Sequence, residues 1–223
     1  MSESIKIDIW SDVACPWCYV GKRKLESGIQ AFQEAQPGVA VEVEYHSYLL
    51  NPDMPVDYEG NQTDYLAEHK GMPREQVIEM TSRLAGIAAA VGLNYDFANM
   101  KMTNTVKAHQ LLHYAKSKGK QLEMKERIMA AHFVEAKHVG RVADLADLAA
   151  EVGLDREDVI RSLEANEFQE AFDADVAQAR EFGISGVPFF VVDMKYGISG
   201  AQDATVFTGA LETVLAERTA ATT

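Results

Sequence analysis

Cysteine is scarce in this chain: only two of its 223 residues are cysteines, and both lie in one short segment. Two cysteines cannot staple a disulfide-rich fold, and a chain with 47% hydrophobic residues can bury a core without them. A structural zinc site would need two further ligands from elsewhere in the sequence. The scarcity therefore directs attention to what the two thiols do together.

Positive charge is also in short supply. The chain has 21 lysines and arginines against 34 aspartates and glutamates, a formal net charge of -13 at pH 7, so we expect no nucleic-acid partner. Charges interrupt the apolar stretches well short of a membrane span, and the first residues lack the basic and apolar regions of a secretory signal. We therefore expect no membrane partner and a cytoplasmic location, where a thiol pair is mostly reduced and cycles.

What the chain does have is a C-P-W-C segment, from Cys15 to Cys18, between a predicted strand and a predicted helix. Apolar and polar residues alternate over 5–10, as in a strand, and apolar residues recur at helical spacing over 25–32. A C-x-x-C pair at such a junction is typical of redox sites. Since a helix N-terminus favours the thiolate, we expect a lowered pKa for Cys15 as nucleophile, with Cys18 as the resolving thiol.

Two other roles for the cysteine pair are less well supported. A zinc site needs four ligands, and His109 and His113 share one face of a predicted helix. They do not form the metalloprotease motif, because Gln110 stands where that motif has a glutamate. A structural disulfide across so short a loop would add little stability to a chain of this length. We predict redox chemistry and no metal site.

The order of predicted elements indicates an α/β fold. A turn at 37–38 leads into a second alternating segment at 39–45, which completes a β-α-β unit. Helical patterns then follow one another from residue 62 to residue 182. The last predicted elements are a strand at 187–192, a hairpin turn at 194–197 leading to 198–200, and a helix at 203–218.

This order, β-α-β and then helices and then β-β-α, predicts a thioredoxin fold interrupted by a large all-helical insertion domain. The predicted thioredoxin-like domain comprises residues 1–61 and 183–223. The predicted helical insertion domain comprises residues 62–182.

A proline stands just before the returning strand, at Val187-Pro188. Proline cannot donate to a strand ladder, so this position favours a special backbone. A cis bond would make a tight turn that faces the cysteines and would leave the backbone of Val187 to pair with an extended substrate. An ordinary trans proline at a strand edge is the alternative, and the C-x-x-C motif elsewhere in the chain argues against it.

Four segments carry a resemblance to a known family. They are S-D-V-A-C-P-W-C-Y-V-G at 11–21, Asn104-Thr105 with Ala108-His109, G-V-P-F-F-V at 186–191 and S-G-A-Q at 199–202. Over nearly its whole length the chain resembles the DsbA-type thiol-disulfide oxidoreductases, and most of all their FrnE-like branch. The resemblance implies that Cys15 attacks, that Cys18 resolves and that Pro188 is cis.

Trp17 departs from the pattern of the periplasmic relatives, which have a histidine in that dipeptide and a signal peptide. Histidine can stabilise the thiolate electrostatically, and an indole cannot. We therefore expect the pKa of Cys15 to be lowered less than in those relatives. The pair should accordingly be less oxidising than theirs.

The same split fold resembles the kappa-class glutathione transferases and the 2-hydroxychromene-2-carboxylate isomerases, which have a serine at the position of Cys15. Cysteine there argues against their chemistry, because it would form a mixed disulfide with glutathione. A glutathione-like site remains implied by the scaffold, with Val187 pairing with the cysteinyl backbone of the peptide. Its γ-glutamyl end would meet Ser199, Gln202 and Asp203, and a plain helix cap explains these three residues equally well.

Other residues near the motifs have two readings each. Trp17 and Tyr19 flank the pair and either form a rim for a substrate peptide or pack against the helical domain. Asp12 either relays protons to Cys18 or, more in keeping with acids at such positions, stabilises the turn. His109 is either an accessory site residue or a helix-packing histidine.

These observations predict a DsbA-like protein disulfide oxidoreductase or disulfide isomerase that exchanges disulfides with protein clients or low-molecular-weight thiols. The redox pair itself is the reacting group, so no bound cofactor is required, and glutathione is a candidate substrate or reductant. A glutathione-dependent transferase or isomerase is the alternative enzyme, and a redox sensor or holdase is the non-enzymatic alternative. A homodimer is common for such enzymes.

Overall fold

The computed structural model describes residues 4–221. The strands within that range are β1 (Ile5–Ser11), β2 (Val41–Ser47), β3 (Phe189–Val192) and β4 (Tyr196–Ser199). The helices are α1 (Pro16–Ala35), α2 (Gln62–Lys70), α3 (Arg74–Ala89), α4 (Val106–Ser117), α5 (Gln121–Phe133), α6 (Val142–Glu151), α7 (Arg156–Glu164), α8 (Gln169–Glu181) and α9 (Ala204–Ala221). Mixed α/β architecture with a helical insertion is thereby confirmed.

Two compact units make up the chain. The sheet unit contains the described residues up to Tyr48 and those from Asp175 onward, and the helical unit contains Leu49–Ala174. Helix α8 begins in the helical unit and ends in the sheet unit. This division falls before both predicted boundaries, 61/62 and 182/183, which stay predictions about separate domains.

The sheet of the sheet unit has the strand order β2-β1-β3-β4. β1 runs parallel to β2, to which α1 connects it, and antiparallel to β3. β3 and β4 form an antiparallel hairpin, and α9 follows. This is the β-α-β and β-β-α arrangement of a thioredoxin fold, and its consequence is that the loop before β3 meets the end of β1.

One face of the sheet is covered by α1 and α9. Alternate residues of β1 point to this face, and they form a core with the apolar stripes of both helices. Its most buried members are Ile5, Ile7, Ile9, Leu25, Phe32, Phe190, Phe207, Leu211 and Val214. The rings of Phe190 and Phe207 meet edge to face with centroids 4.7 Å apart. Each such side chain stabilises the fold by about 1.5–3 kcal/mol through burial, which fixes α1 on the sheet.

A second, smaller core lies on the opposite face of β1. Trp10 packs there with Ala179 of α8, with Ile184 and with Val191 of β3. The indole Nε1–H of Trp10 donates to the carbonyl oxygen of Asp175 at 3.2 Å. Both faces of β1 are therefore buried. Because Asp8 lies on this buried strand, its carboxylate needs hydrogen-bond partners.

The hairpin between β3 and β4 turns at Asp193 and Met194, both of which have positive φ values of 54° and 53°. Two successive residues in this region are typical of the tight turns that match strand twist. The sequence-based prediction placed the turn at 194–197 and was wrong by two residues, because Tyr196 and Gly197 already belong to β4. An Asp193–Arg218 ion pair links the turn to α9.

The helical unit has its own core and its own helix caps. Asn104 supports the start of α4: its side-chain oxygen accepts from the Val106 N–H at 3.0 Å, and its amide donates to the Met54 carbonyl at 3.0 Å. His109 is buried in α4, and its ring lies 5.8 Å from that of Phe172. The Asn104-Thr105 and Ala108-His109 motif thus begins a buried helix of this unit.

Candidate active site at the start of α1

The turn between β1 and α1 is organised by Asp12. Its carboxylate accepts a hydrogen bond from the Ala14 N–H at 3.1 Å, and its carbonyl oxygen accepts from the Cys15 N–H at 3.2 Å. Pro16 follows in the first turn of α1, where its fixed φ and missing N–H are well tolerated. These contacts are those of a turn carboxylate, and a proton relay to Cys18 stays a prediction.

Cys15 occupies the N-cap position of α1, and Cys18 lies one turn further along the helix. Both are thiols rather than a disulfide, and both are buried, with 5% and 2% of their surface exposed. The Cys18 N–H donates to the Cys15 carbonyl oxygen at 3.0 Å. The side chains of the two cysteines also share a hydrogen bond. The structure therefore brings the two predicted redox residues into direct contact.

The hydrogen bond with the Cys18 side chain raises the pKa of Cys15 well above its ordinary value, since it keeps a proton between the sulfurs. Burial, the charge of Cys18 and the charge of Asp12 raise this pKa further, and the Cys18 backbone N–H opposes them. The predicted lowering of the Cys15 pKa is therefore wrong for this reduced, buried pair. Two thiols coupled so closely lose their protons in two steps that belong to the pair.

The loop before β3 lies against Cys15. The Cys15 Sγ is 3.6 Å from the carbonyl oxygen of Val187, a distance at which a thiol donates a weak hydrogen bond. The Val187–Pro188 peptide bond is cis. Pro188 is buried, and its carbonyl oxygen accepts from the Gly200 N–H at 2.8 Å. Because Trp10 near the end of β1 pairs with Phe189 at the start of β3, the loop before β3 lies next to the cysteines.

The two aromatic residues beside the cysteines differ in exposure. Trp17 is 41% exposed, whereas Tyr19 is only 1% exposed and has the Arg23 guanidinium 4.9 Å from its ring centroid. The predicted rim role for Tyr19 is therefore wrong, because the helix turns its side chain inward. Trp17 remains a candidate for substrate contact.

Of the three residues suggested for the γ-glutamyl end of glutathione, Ser199 ends β4, and Gln202 and Asp203 lie between β4 and α9. The side-chain amide of Gln202 donates to the Ser199 carbonyl at 2.9 Å, and the Asp203 carboxylate pairs with Lys24 of α1 at 2.8 Å. The hydrogen bond from Lys24 lowers the pKa of Asp203. These contacts tie the start of α9 to α1, and glutathione binding there stays a prediction.

A charged network on β1 and β2 escaped the sequence reasoning. His46 donates or accepts at both ring nitrogens, 2.8 Å from Asp175 and 2.8 Å from Asp8, and it stacks on Trp10 with centroids 4.5 Å apart. Burial lowers the pKa of His46, but the hydrogen bonds to the two carboxylates outweigh it and raise this pKa to about 9. The only local signal was Asp8, an acidic residue at a buried strand position.

The same network contains a group of side chains that could hold a metal ion. Ligand atoms of Asp8, Glu44 and His46 lie close enough together to hold a metal ion. Lys6 already pairs with Asp8 at 2.9 Å and with Glu44 at 2.8 Å. Because His46 is engaged on both sides as well, the cluster is satisfied by its own cation.

Gly21 is a second feature that the sequence reasoning did not use. It lies inside α1, where glycine costs roughly 0.5–1 kcal/mol relative to alanine. A Cβ built on it would lie 2.9 Å from the Cγ of Pro188. The signal that could have revealed it is a glycine within a strongly helical pattern, one turn after Cys18.

A thioredoxin fold with two thiols in contact at a helix start defines the protein as thioredoxin-like. A family model described as the DSBA-like thioredoxin domain matches residues 6–212. The chain belongs to that family. No helix among residues 4–221 has both the length and the apolar character needed to span a membrane.

Comparisons with individual proteins agree with this assignment. The chain is 31% identical over 210 residues to the uncharacterized protein YwbO of Bacillus subtilis, covering 93% of this chain and 96% of that protein. It is 37% identical to the probable DsbA oxidoreductase SCO1869 of Streptomyces coelicolor, with a TM-score of 0.88 and coverage of 96% and 91%. These similarities support an oxidoreductase that acts on thiols and disulfides.

A more distant structure shares the fold alone. The cytosolic disulfide reductase DsbM of Pseudomonas aeruginosa, solved with GSH, is 18% identical. The superposition covers 94% of this chain and 98% of that chain, with a TM-score of 0.67. The fold, including the helical insertion, is thus shared with that protein.

Proposed function

We propose that the protein is a thiol-disulfide oxidoreductase whose redox pair is Cys15 and Cys18. The observation that carries this proposal is the contact between the two thiols at the start of α1, with the Cys15 Sγ 3.6 Å from the Val187 carbonyl oxygen. Membership of the DSBA-like family supports the same chemistry. Pro188 belongs to the proposed site because it holds Val187 in that position.

The reaction is a pair of thiol-disulfide exchanges. The Cys15 thiolate attacks one sulfur of a substrate disulfide, forming a mixed disulfide and releasing the other substrate sulfur as a thiolate. The Cys18 thiolate then attacks the Cys15 sulfur, forming the Cys15–Cys18 disulfide and releasing the second substrate thiolate. The protein pair loses two electrons, and the substrate gains them. The same steps in reverse oxidise a substrate dithiol.

The contacts of Cys15 explain which sulfur reacts first. A single deprotonation leaves one thiolate and one proton shared by the pair. The Cys18 N–H and the positive end of α1 stabilise the negative charge when it lies on Cys15. Cys18 lies deeper in the helix and keeps the proton until the mixed disulfide forms.

An extended peptide is the substrate that the surroundings of Cys15 favour. Val187 lies beyond the last β1–β3 pair, so its backbone is available to a peptide added beside the site. The exposed ring of Trp17 offers an apolar contact to the same peptide. Protein clients and glutathione both satisfy this description, and the GSH-bound DsbM structure makes glutathione the natural first probe. A cytoplasmic location fits a pair that cycles between both states.

Trapping of the mixed disulfide tests the proposal. Cys18→Ser should accumulate an adduct on Cys15 with oxidised glutathione, since no resolving thiol remains. Cys15→Ser should accumulate none, because Cys18 lies one turn inside α1 and lacks the stabilisation of negative charge at the helix end. Intact-protein mass spectrometry distinguishes the two. Equal adducts on both variants, or none on either, would overturn the assigned roles. Transferase activity with glutathione conjugates that survives Cys18→Ser would instead support the kappa-class alternative.

A further inference from the structure

Gly21 occupies the side of α1 that faces the Pro188 loop. It follows Cys18 by three residues, so the two lie on adjacent turns of one helix side. Its φ is not in the left-handed region, so the backbone does not demand glycine here. The reason for a glycine in this helix interior must therefore be what surrounds it.

The surroundings leave no room for a side chain. A Cβ on Gly21 would lie 2.9 Å from the Cγ of Pro188, 3.3 Å from the Cζ of Phe190 and 3.5 Å from the Cβ of Ala201. Carbon atoms in contact prefer separations of about 3.5–4.0 Å. Phe190 cannot withdraw, because it is fully buried in the core beneath α1. The proline ring is the neighbour that would have to move.

Movement of Pro188 would reach the thiol pair directly. Pro188 is bonded to Val187, whose carbonyl oxygen lies 3.6 Å from the Cys15 Sγ. The hydrogen bond from the Gly200 N–H to the Pro188 carbonyl holds the loop from the far side. A shift of the ring away from α1 therefore carries Val187 away from Cys15.

We propose that Gly21 is a positioning residue for the redox pair: by having no side chain, it lets Pro188 lie against α1 and so sets the separation of Cys15 and Val187. This inference rests on the proposed function for its consequence in catalysis. Its geometric part concerns the environment of one thiol and can be measured without turnover.

The chain offers a matched control in Gly28, seven residues further along α1. A Cβ on Gly28 would lie 2.7 Å from the Ala204 carbonyl oxygen and 2.8 Å from the Cβ of Phe207, at the start of α9. Gly21→Ala and Gly28→Ala thus make the same chemical change in one helix and meet comparable obstruction. Only Gly21 faces the Pro188 loop.

The test compares both variants in a Cys18→Ser background, where Cys15 is the sole cysteine. Gly21→Ala should raise the rate of Cys15 alkylation by iodoacetamide at least about fivefold, because displacement of the loop exposes a thiol that is now buried. It should also lower the rate of mixed-disulfide formation with oxidised glutathione at least about fivefold, because the Val187 backbone is misplaced. Gly28→Ala should change both rates less than about twofold while lowering the melting temperature.

A double-mutant cycle with Pro188→Ala keeps the inference testable if Gly21→Ala fails to fold. Removal of the proline ring relieves the obstruction, so Gly21→Ala with Pro188→Ala should fold and should alkylate at the rate of Pro188→Ala alone. Additive effects, failure of the double variant to fold, or equal thiol rates for the Gly21 and Gly28 variants would each overturn the positioning role. If the parent protein forms no Cys15–Cys18 disulfide, the proposed function fails, and the alkylation comparison still decides the geometry.

Discussion

The ion pairs of His46 make the free energy of unfolding depend on pH, and the sign of this dependence follows from the shifted pKa of His46. Protonated His46 lies between Asp8 and Asp175, with 12% of its side chain exposed. The hydrogen bonds to these carboxylates raise its pKa from 6.5 to about 9 despite the opposing effect of burial. A folded-state pKa above the unfolded value means that the folded protein holds the proton more tightly than the unfolded chain does.

The size of the effect follows from that shift. A change from 6.5 to about 9 corresponds to roughly 3 kcal/mol of folding free energy. This contribution is fully present below the unfolded pKa of 6.5 and is lost as the pH rises through about 9. The prediction is therefore a protein that loses roughly 3 kcal/mol of His46-dependent stability between about pH 6 and about pH 10.

Urea unfolding of the parent protein and of His46→Gln at several pH values measures this contribution. The glutamine is neutral throughout, so the difference between the two proteins isolates the contribution of His46. The variant should be less stable by roughly 3–5 kcal/mol near pH 6, since two buried carboxylates lose the imidazolium between them, although Asp8 keeps its ion pair with Lys6. The two proteins should approach each other above about pH 9. The fluorescence of Trp10 in the folded protein, which a stacked imidazolium affects, should change with a midpoint near the folded-state pKa of about 9.

A difference between the two proteins that stays constant from about pH 6 to about pH 10 would refute this reasoning. It would mean that the pKa of His46 is the same in the folded and the unfolded protein, so that the two carboxylates do not hold its proton. A stability advantage of the parent protein that grows as the pH rises through 6.5 would refute it as well, because it would place the folded-state pKa of His46 below the unfolded value.

Three further predictions concern the site, the core and the hairpin. Asp12→Asn should lower the pKa of Cys15, because the Asp12 charge raises it. Alkylation of Cys15 by iodoacetamide near neutral pH should therefore become faster, and an unchanged pH profile of alkylation would contradict this expectation. Phe207→Ala should destabilise the sheet unit by about 3–5 kcal/mol in urea unfolding, since Phe207 fills the core between α9 and β3. A loss of stability below about 1 kcal/mol would show that this core is loosely packed. Met194→Gly should raise the free energy of unfolding by roughly 0.5–1 kcal/mol, because Met194 has a φ of 53° that glycine adopts without strain. A variant that is less stable in thermal unfolding would show that the Met194 side chain stabilises the hairpin.

Local patterns were sufficient to predict the elements that carry the cysteines. The alternation at 5–10 and the spacing at 25–32 correspond to β1 and α1, which span Ile5–Ser11 and Pro16–Ala35. Period and capping signals are properties of neighbouring residues, so one sequence contains them. The hairpin turn was misplaced because Met194, unlike Asp193, is of a residue type that rarely adopts the positive φ observed here.

Contacts between distant residues were beyond the sequence. His46 and Asp175 are 129 positions apart, and nothing local marks them as partners. The pKa of Cys15 depends on burial and on the side chains of Cys18 and Asp12, so the helix terminus alone gave the wrong direction. The contact of Gly21 with Pro188 likewise exists only once β3 has paired with β1. The redox chemistry of Cys15 and Cys18 could be predicted from the C-P-W-C motif, but the direction of the pKa shift of Cys15 could not.

Redox titration of the parent protein in glutathione buffers tests the central claim most directly. The mass of the intact protein and its tryptophan fluorescence would be followed together as the ratio of reduced to oxidised glutathione is changed. We predict a single two-electron transition in which the protein loses two hydrogen atoms as Cys15 and Cys18 join. Neither cysteine-to-serine variant should show this loss, and Cys18→Ser should instead gain the mass of one glutathione as its mixed disulfide forms. If both thiols stay reduced at the most oxidising ratio, or if oxidation links two protein molecules instead, Cys15 and Cys18 are not a redox pair and the proposed function is wrong.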